Sequence, residues 1–212
     1  MITCEEEARR WVASLPECDT LASERLECFT GLLRAENRKQ NLVSAASLDA
    51  VWQRHIADSA QLLVHVPRGT GPWLDLGTGA GFPGLVASIL RPECEFVLVE
   101  SRARRVDWLE RAAAELGLEN LVVEGGRLES LHSRNVGVIS ARAFAPLEKL
   151  LSLSSRFSTS ETLWLLPKGR SAQQELDELK GWRHVFHVEQ SLTDPDSGII
   201  VGKLTGRKGK SA

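Results

Sequence analysis

The segment Trp73-Leu74-Asp75-Leu76-Gly77-Thr78-Gly79-Ala80-Gly81-Phe82-Pro83-Gly84 constrains this chain more than any other stretch. Leu74 to Leu76 form a short apolar run that predicts a strand. The alternating Gly77, Gly79 and Gly81 predict a tight turn whose backbone N–H groups can approach a ligand that any side chain would hold off. Pro83 suits the first turn of a following helix. A strand that feeds a helix through such a turn is the signature of a nucleotide-type cofactor lying on a helix N-terminus, and Gly79-x-Gly81-x-x-Gly84 also satisfies the general dinucleotide pattern.

Two carboxylates narrow that reading. Asp75, two residues before Gly77, gives D-x-G-x-G-x-G, which is more typical of S-adenosylmethionine (SAM) binders than of nicotinamide binders. Glu100 ends the next apolar run, Phe96–Val99, about where a carboxylate accepting ribose hydroxyls is expected; a solvated strand end is its plainer reading. Two other functions share the loop: a nicotinamide-dependent oxidoreductase, and a non-catalytic ribosome- or RNA-binding protein that keeps SAM only as a structural ligand.

The rest of the chain is read around this turn. Thr3-x-x-Glu6 is a capping box opening a first helix that Pro16 stops. Leu21, Ala22, Leu26, Phe29, Leu32 and Leu33 give a second. Ser47 is the expected cap of a third, in which Leu48, Val51, Trp52, His55, Ile56, Ser59, Leu62, Leu63 and Val66 recur at helical period. Pro67, Gly69, Gly71 and Pro72 close it, so residues 1–68 are expected as a helical N-terminal extension docked on a domain over 71–206. From Gly71 strands and helices alternate: strand 73–76, helix 83–90, strand 96–99, helix 103–116, strands 121–123 and 136–140, a helix from Leu147, strand 162–166, and a helix opened by Ser171-x-x-Gln174. Continuously apolar strands indicate a parallel sheet covered on both faces. Val185–Val188 and Ile199–Val201 follow without an intervening helix. The expected fold is α/β, a Rossmann-like class I SAM-dependent methyltransferase with a seven-stranded sheet and a terminal antiparallel hairpin.

Length and composition agree with one sizeable core: 212 residues, 42% hydrophobic and 25% charged. The acidic start and the lack of a long apolar run argue for a cytoplasmic protein with no membrane contact. Cys4, Cys18, Cys28 and Cys94 lack the spacing of a zinc site, so neither metal nor disulfide is expected. Residues 1–100 carry 9 Lys/Arg against 14 Asp/Glu, whereas residues 101–212 carry 17 against 14. The surplus includes the tail over 207–212, which reads either as a frayed terminus or as an RNA-contacting arm.

With SAM as donor, the methyl is already activated and the protein chiefly has to align donor and acceptor. An amine or hydroxyl acceptor must lose a proton, whereas guanine N7 offers a free lone pair. No cysteine follows a late strand, as methylation at pyrimidine C5 would need. Where amino-group methyltransferases carry Asn/Asp-Pro-Pro-aromatic, this chain has Ile139-Ser140-Ala141-Arg142-Ala143-Phe144-Ala145-Pro146. Arg142 stands at the ligand edge of the sheet, where it can pair with the methionyl carboxylate or with RNA phosphate, or remain a surface arginine.

Asn41-Leu42, Arg54-His55-Ile56-x-Asp58-Ser59, the Asp75–Gly84 segment, Arg127-Leu128-Glu129, Arg142-Ala143-Phe144 and Lys168-Gly169 occur in the same order as in the bacterial small-subunit ribosomal RNA guanine-N7 methyltransferases, formerly called glucose-inhibited division protein B. The chain resembles that family over about residues 37–170. It departs in having Ala141 between Ser140 and Arg142, where many members read Ser-Arg-Ala-Phe directly. The resemblance implies a SAM site formed by Asp75, Gly77, Gly79, Gly81, Phe82, Glu100, Leu128, Glu129 and Arg142. It implies methylation of N7 of a guanine in a loop of 16S rRNA, free or within the 30S subunit, by an enzyme expected to be monomeric. Asn41, His55, Asp58 and Lys168 are its candidates for positioning the substrate, with no general base required. The residues themselves leave His55 open between a hydrogen-bonded core histidine, with Asp58 as partner, and a substrate contact. Lys168 is likewise open between the site and a solvated lysine.

Overall fold

The structure, a computed structural model, describes residues 1–208. Eight strands among them form the sheet: β1 (Trp73–Leu76), β2 (Phe96–Glu100), β3 (Leu121–Gly125), β4 (Val138–Ser140), β5 (Leu163–Lys168), β6 (Trp182–His184), β7 (His187–Gln190) and β8 (Gly198–Arg207). Their order is β3-β2-β1-β4-β5-β8-β6, with β7 also on β8. β1 to β5 run parallel and β8 is antiparallel to β5. The chain reverses direction of travel across the sheet between β1 and β4, and in such sheets ligands bind beyond the strand C-termini at that point.

The expected closing hairpin is more elaborate than the sequence suggests. The partner strand of β8 is split around Val185-Phe186 into β6 and β7, with a register shift at Arg183/His184. β8 passes so close there that a Cβ on Gly202 would collide with the Val185 carbonyl. The run Val185–Val188 looks continuous in sequence because its alternation survives the break.

Helices α1 (Glu5–Ala13), α2 (Thr20–Asn37), α3 (Ala45–Asp49), α4 (Asp58–Ala60), α5 (Gly84–Leu90), α6 (Ala103–Glu115), α7 (Leu147–Ser154) and α8 (Ala172–Asp177) complete the fold. Strand alternation sorts the core in two. Trp73, Phe96 and Leu98 pack with Val12 of α1, Phe29 of α2, Leu85 of α5 and Trp108 of α6. Leu74, Leu76, Val97 and Val99 pack on the opposite face with Leu147 and Leu151 of α7 and Ala172 of α8. The N-terminal helices therefore share one core with the sheet.

Three local expectations need correction. Helix α1 starts at Glu5, and Thr3 pairs through its N–H and hydroxyl with Glu7 instead of Glu6. Ser44, not Ser47, is the cap of α3, its Oγ accepting from the Ser47 N–H, and Ser171 donates to Glu175 instead of capping α8. The expected third helix is not one α-helix. After α3 the backbone leaves helical angles at Ala50, forms a wide π-turn over Trp52–Ala57, and ends in a 3₁₀ turn over Gln61–His65. The Glu5 carboxylate of α1 explains the restart: it accepts from the N–H groups of Trp52 (3.1 Å) and Gln53 (2.7 Å), taking donors that an uninterrupted helix would use itself.

One buried carboxylate ties these layers together where the strands end. Asp75 is fully enclosed; its Oδ2 accepts from the Gly84 N–H (3.0 Å) and its Oδ1 from the Ser140 hydroxyl (2.6 Å). The Trp73 indole in turn donates to Ser140 Oγ at 2.8 Å. Burial pushes the Asp75 pKa up, and the hydrogen bonds oppose it. Replacing Asp75 with Ala leaves two buried donors unpaired, and a loss of about 3 kcal/mol in urea unfolding is expected. A loss under about 1 kcal/mol would remove Asp75 from this role.

Candidate active site

The glycine turn follows β1 directly. Gly77 has φ +65°, and a Cβ there would lie 2.5 Å from Cδ2 of Phe144. Gly84 is required for a different reason: a Cβ would run into Leu98 and the Asp75 carboxylate, so its lack of a side chain serves helix-on-strand packing. The Phe82 N–H closes the turn on the Thr78 carbonyl (3.0 Å), and the Trp108 indole fixes it from α6 by donating to Ala80 O at 3.1 Å. Gly79 and Gly81 complete the bare backbone surface, at φ +60° and +107°. Asp75 turns toward this backbone from behind.

Glu100, at the end of β2, is 5% exposed. Its carboxylate accepts from the N–H groups of Gly79 (3.2 Å), Ser101 (2.7 Å) and Arg102 (2.9 Å), with Arg105 Nη1 at 3.7 Å. A carboxylate has about four acceptor sites, so an acceptor position remains for a hydroxyl. Leu128 is buried in the turn Leu128–Ser130, and Glu129 follows it there. The Gly126 N–H donates to the Glu100 carbonyl at 2.9 Å, which joins that turn to the glycine turn. Side-chain-free backbone next to an anchored carboxylate fits a nucleoside-bearing cofactor such as SAM.

Arg142 gathers the second half of the site. Ala141 is buried and continues the strand pairing through its N–H to Leu165 O, so Arg142 emerges at the sheet edge. Its Nη1 donates to Asp58 Oδ2 (3.2 Å) and the Arg54 carbonyl (3.4 Å), and its Nη2 meets His55 Nδ1 at 3.2 Å. The guanidinium also lies 5.0 Å from the Phe82 ring centroid. Asp58 is thus not the partner of His55; it accepts from Arg142, from Thr193 Oγ1 (2.7 Å) and from Gln61 Nε2 (2.9 Å). The π-turn is what presents His55 and Asp58 to the same arginine. His55 stacks on Phe82, with centroids 4.6 Å apart and planes 13° from parallel. Burial first, then the charges of Arg142 and Arg54, push its pKa down to about 3. The ring is neutral, with Nδ1 accepting and its Nε2 buried without a partner.

A cavity of about 800 Å³ opens beside this cluster, lined by Val43, Arg54, Asp58, Arg142, Pro146 and Lys168 among others. Gly77–Phe82, Glu100, Leu128 and Glu129 do not line it. Phe144 is the partition, one side over Gly77 and the other in the cavity wall. It is the residue that analysis of the sequence left without a role, because a lone aromatic in a loop has no periodicity to mark it. Ala143, at φ +52°, adopts the left-handed turn that separates Arg142 from Phe144. Lys168 is the last residue of β5 and is not solvated: its Nζ donates to Ala145 O (2.7 Å) and Glu175 Oε2 (2.8 Å), fixing the Phe144–Pro146 loop. Asn41 is exposed and outside the cavity lining; the neighbouring loop is held by Asn37, whose Oδ1 accepts from the N–H groups of Leu42 and Val43.

Strand order and glycine turn define the fold of SAM-dependent methyltransferases. The structure superimposes on a SAM-dependent methyltransferase from Aquifex aeolicus with a TM-score of 0.57 at 14% identity, covering 82% of this chain and 97% of that one. MtNAS, solved in complex with S-adenosylmethionine, gives 0.58 at 14% identity over 96% of this chain and 84% of its own. The family model described as rRNA small subunit methyltransferase G matches residues 22–193. A ribosomal RNA small subunit methyltransferase G from Erythrobacter litoralis is 59% identical over 204 residues, covering 96% of this chain and 98% of the relative. The chain belongs to the rRNA small subunit methyltransferase G family.

The neutral His55 has a pH signature. An unfolded histidine titrates near 6.5, whereas the folded one holds out to about 3. Below pH 6.5 the unfolded chain gains a proton that the folded chain refuses. The stabilising contribution is therefore complete above pH 6.5 and declines toward pH 3, by at most about 1.4 kcal/mol per pH unit. Between pH 6.5 and 5 the native Tm is expected to fall more steeply than that of His55→Phe, which keeps an aromatic ring but does not titrate. Parallel slopes would contradict this account.

Proposed function

We propose that the chain transfers the methyl group of SAM to N7 of a guanine presented by a loop of 16S rRNA. The observation that carries the choice of acceptor is that each carboxylate lining the cavity is already bonded. Asp58 is held by Arg142 and Thr193, Glu175 by Lys168, Ser171 and the Leu147 N–H, and Asp194 by the Asp196 N–H and Arg54. The Asp196 N–H and Arg54 hold the Asp194 carboxyl below the usual carboxylate range; at Glu175 these donors outweigh the burial that would raise it. His55 presents its acceptor nitrogen to Arg142. A cavity without a free base suits a lone-pair acceptor, which needs no deprotonation.

When bound, SAM supplies a methyl carried on a sulfonium, already an electrophile. In this reading Gly77, Gly79, Gly81 and Phe82 provide its bed, Asp75 fixes that bed from below, Glu100 takes the ribose, and Leu128 and Glu129 flank the adenine. Arg142, held by His55 and Asp58, borders both cofactor and acceptor. Phe144 covers the cofactor bed on one side and offers the acceptor base a flat wall on the other, which limits water at the reacting atoms. One chain lines the whole cavity, which supports a monomeric enzyme; a ribosomal substrate, 16S rRNA in the assembled or assembling 30S subunit, places its work in the cytoplasm.

Small-subunit particles from a strain lacking the enzyme, incubated with the protein and labelled SAM, are expected to gain one methyl that mass spectrometry maps to guanine N7. A methyl on an exocyclic amine or a ribose would overturn the reading. Lys168→Ala releases Ala145 and the Phe144 loop. It is expected to slow rRNA methylation by about tenfold or more, since small misplacements carry large kinetic costs, while SAM affinity stays within about twofold. The opposite pattern would assign Lys168 to the cofactor.

A further inference from the structure

The loop after α2 and the start of α6 bring a basic patch together at the rim of the site. Gln40 Nε2 donates to Arg104 O at 3.0 Å, and Arg104 donates to Lys39 O at 3.1 Å, locking the two segments side by side. Arg38, Lys39, Arg102 and Arg104 are all exposed. We propose that this patch grips the phosphodiester backbone of the rRNA next to the target nucleotide. The inference rests on rRNA as the substrate class and is independent of which base atom is methylated.

Charge, position and cost support it. The adjoining carboxylates are turned inward: Glu36 is 4% exposed and occupied by Gln40, Lys39 and Arg111, and Glu100 faces backbone amides. Among the described residues Arg38, Arg102 and Arg104 have no carboxylate partner within ion-pair distance, so they are left for an outside anion. The first turn of α6 has no acid, unlike that of α1, which has Glu5, Glu6 and Glu7. Arginines crowded at the positive end of a helix lower its stability, so the helix itself gives no reason for them. The residues lie in a half of the chain boundary where acids otherwise prevail, since residues 1–100 hold 9 Lys/Arg against 14 Asp/Glu. Three residues beyond Lys39, Leu42 begins the cavity wall, and on the other flank a Cβ on Gly79 would sit 3.6 Å from Arg105 Nη1. The patch therefore borders both the acceptor cavity and the cofactor bed. Guanidinium groups match phosphate geometry in pairs of N–H bonds.

The C-terminal cations are worse placed. β8 begins at Gly198 in the cavity wall and runs to Arg207, roughly 30 Å away at the standard rise per residue. Arg207 there lies over Trp182, at 4.6 Å from the ring centroid.

The test is the salt dependence of binding to unmethylated small-subunit particles, for the native protein, Arg38→Gln/Arg102→Gln and Arg207→Gln/Lys208→Gln. Each lost phosphate contact lowers the log–log slope by about 0.7 to 0.9. The first double variant is expected to lose roughly 1.4 to 1.8 of slope and about tenfold in affinity at low salt, with SAM affinity and Tm unchanged. The second is expected to match the native protein. An unchanged slope for the first variant, a weaker affinity without a slope change, or loss in the second variant alone would each overturn the proposal. Mapping the methyl in the same particles reports separately on the N7 reading.

Discussion

A carboxylate removed from water has to be compensated by donors fixed in place, and Asp75 is compensated by groups from three elements at once. The Gly84 N–H belongs to the start of α5, the Ser140 hydroxyl to β4, and the Trp73 indole behind Ser140 to β1 itself. The separation of β1 from β4 and the approach of α5 to the glycine turn are thereby set by one group. Glu100 repeats the device one strand over, its oxygens on the N–H groups of Gly79, Ser101 and Arg102. The acids of the cofactor edge are thus spent on backbone, and the glycine turn is shaped before any ligand arrives.

Arg142 has the reciprocal position. Its charge is balanced by Asp58 from the N-terminal segment and shielded by the faces of Phe82 and, next to it, the neutral His55 ring. Residues 1–68 consequently supply one wall of the site as well as covering the sheet. Arg54 extends the tie to Asp194, and the Gln61 carbonyl oxygen accepts from the Leu192 N–H, so the loop between β7 and β8 is drawn to the same place.

What was legible in the sequence was whatever repeats or whatever lacks a side chain. The apolar strands, the glycine turn and the crossover helices follow from periodicity and from backbone demands, and all stand where expected to within a few residues. Partners that converge from distant segments left no local trace. Asp58 stands three residues from His55, which suggested a pair on one helix, but the structure gives both to an arginine more than eighty positions later. Glu5 interrupts the third helix from another helix altogether, a choice invisible in the uninterrupted stripe of Leu48, Trp52, Ile56 and Leu63. Lys168 read as solvated or substrate-facing because its carboxylate partner, Glu175, lies beyond a loop.

The wide turn at Trp52–Ala57 has a further consequence. A turn of this kind holds about one residue more than an α-turn, and one helical residue corresponds to about 100° of rotation. Everything downstream is therefore displaced in phase, so that the stripe facing the sheet and the pair facing Arg142 can be chosen on separate terms. Removing a single residue here would act less like shortening a rod than like slipping a gear by one tooth: the length would hardly change, but a different set of side chains would mesh with the arginine.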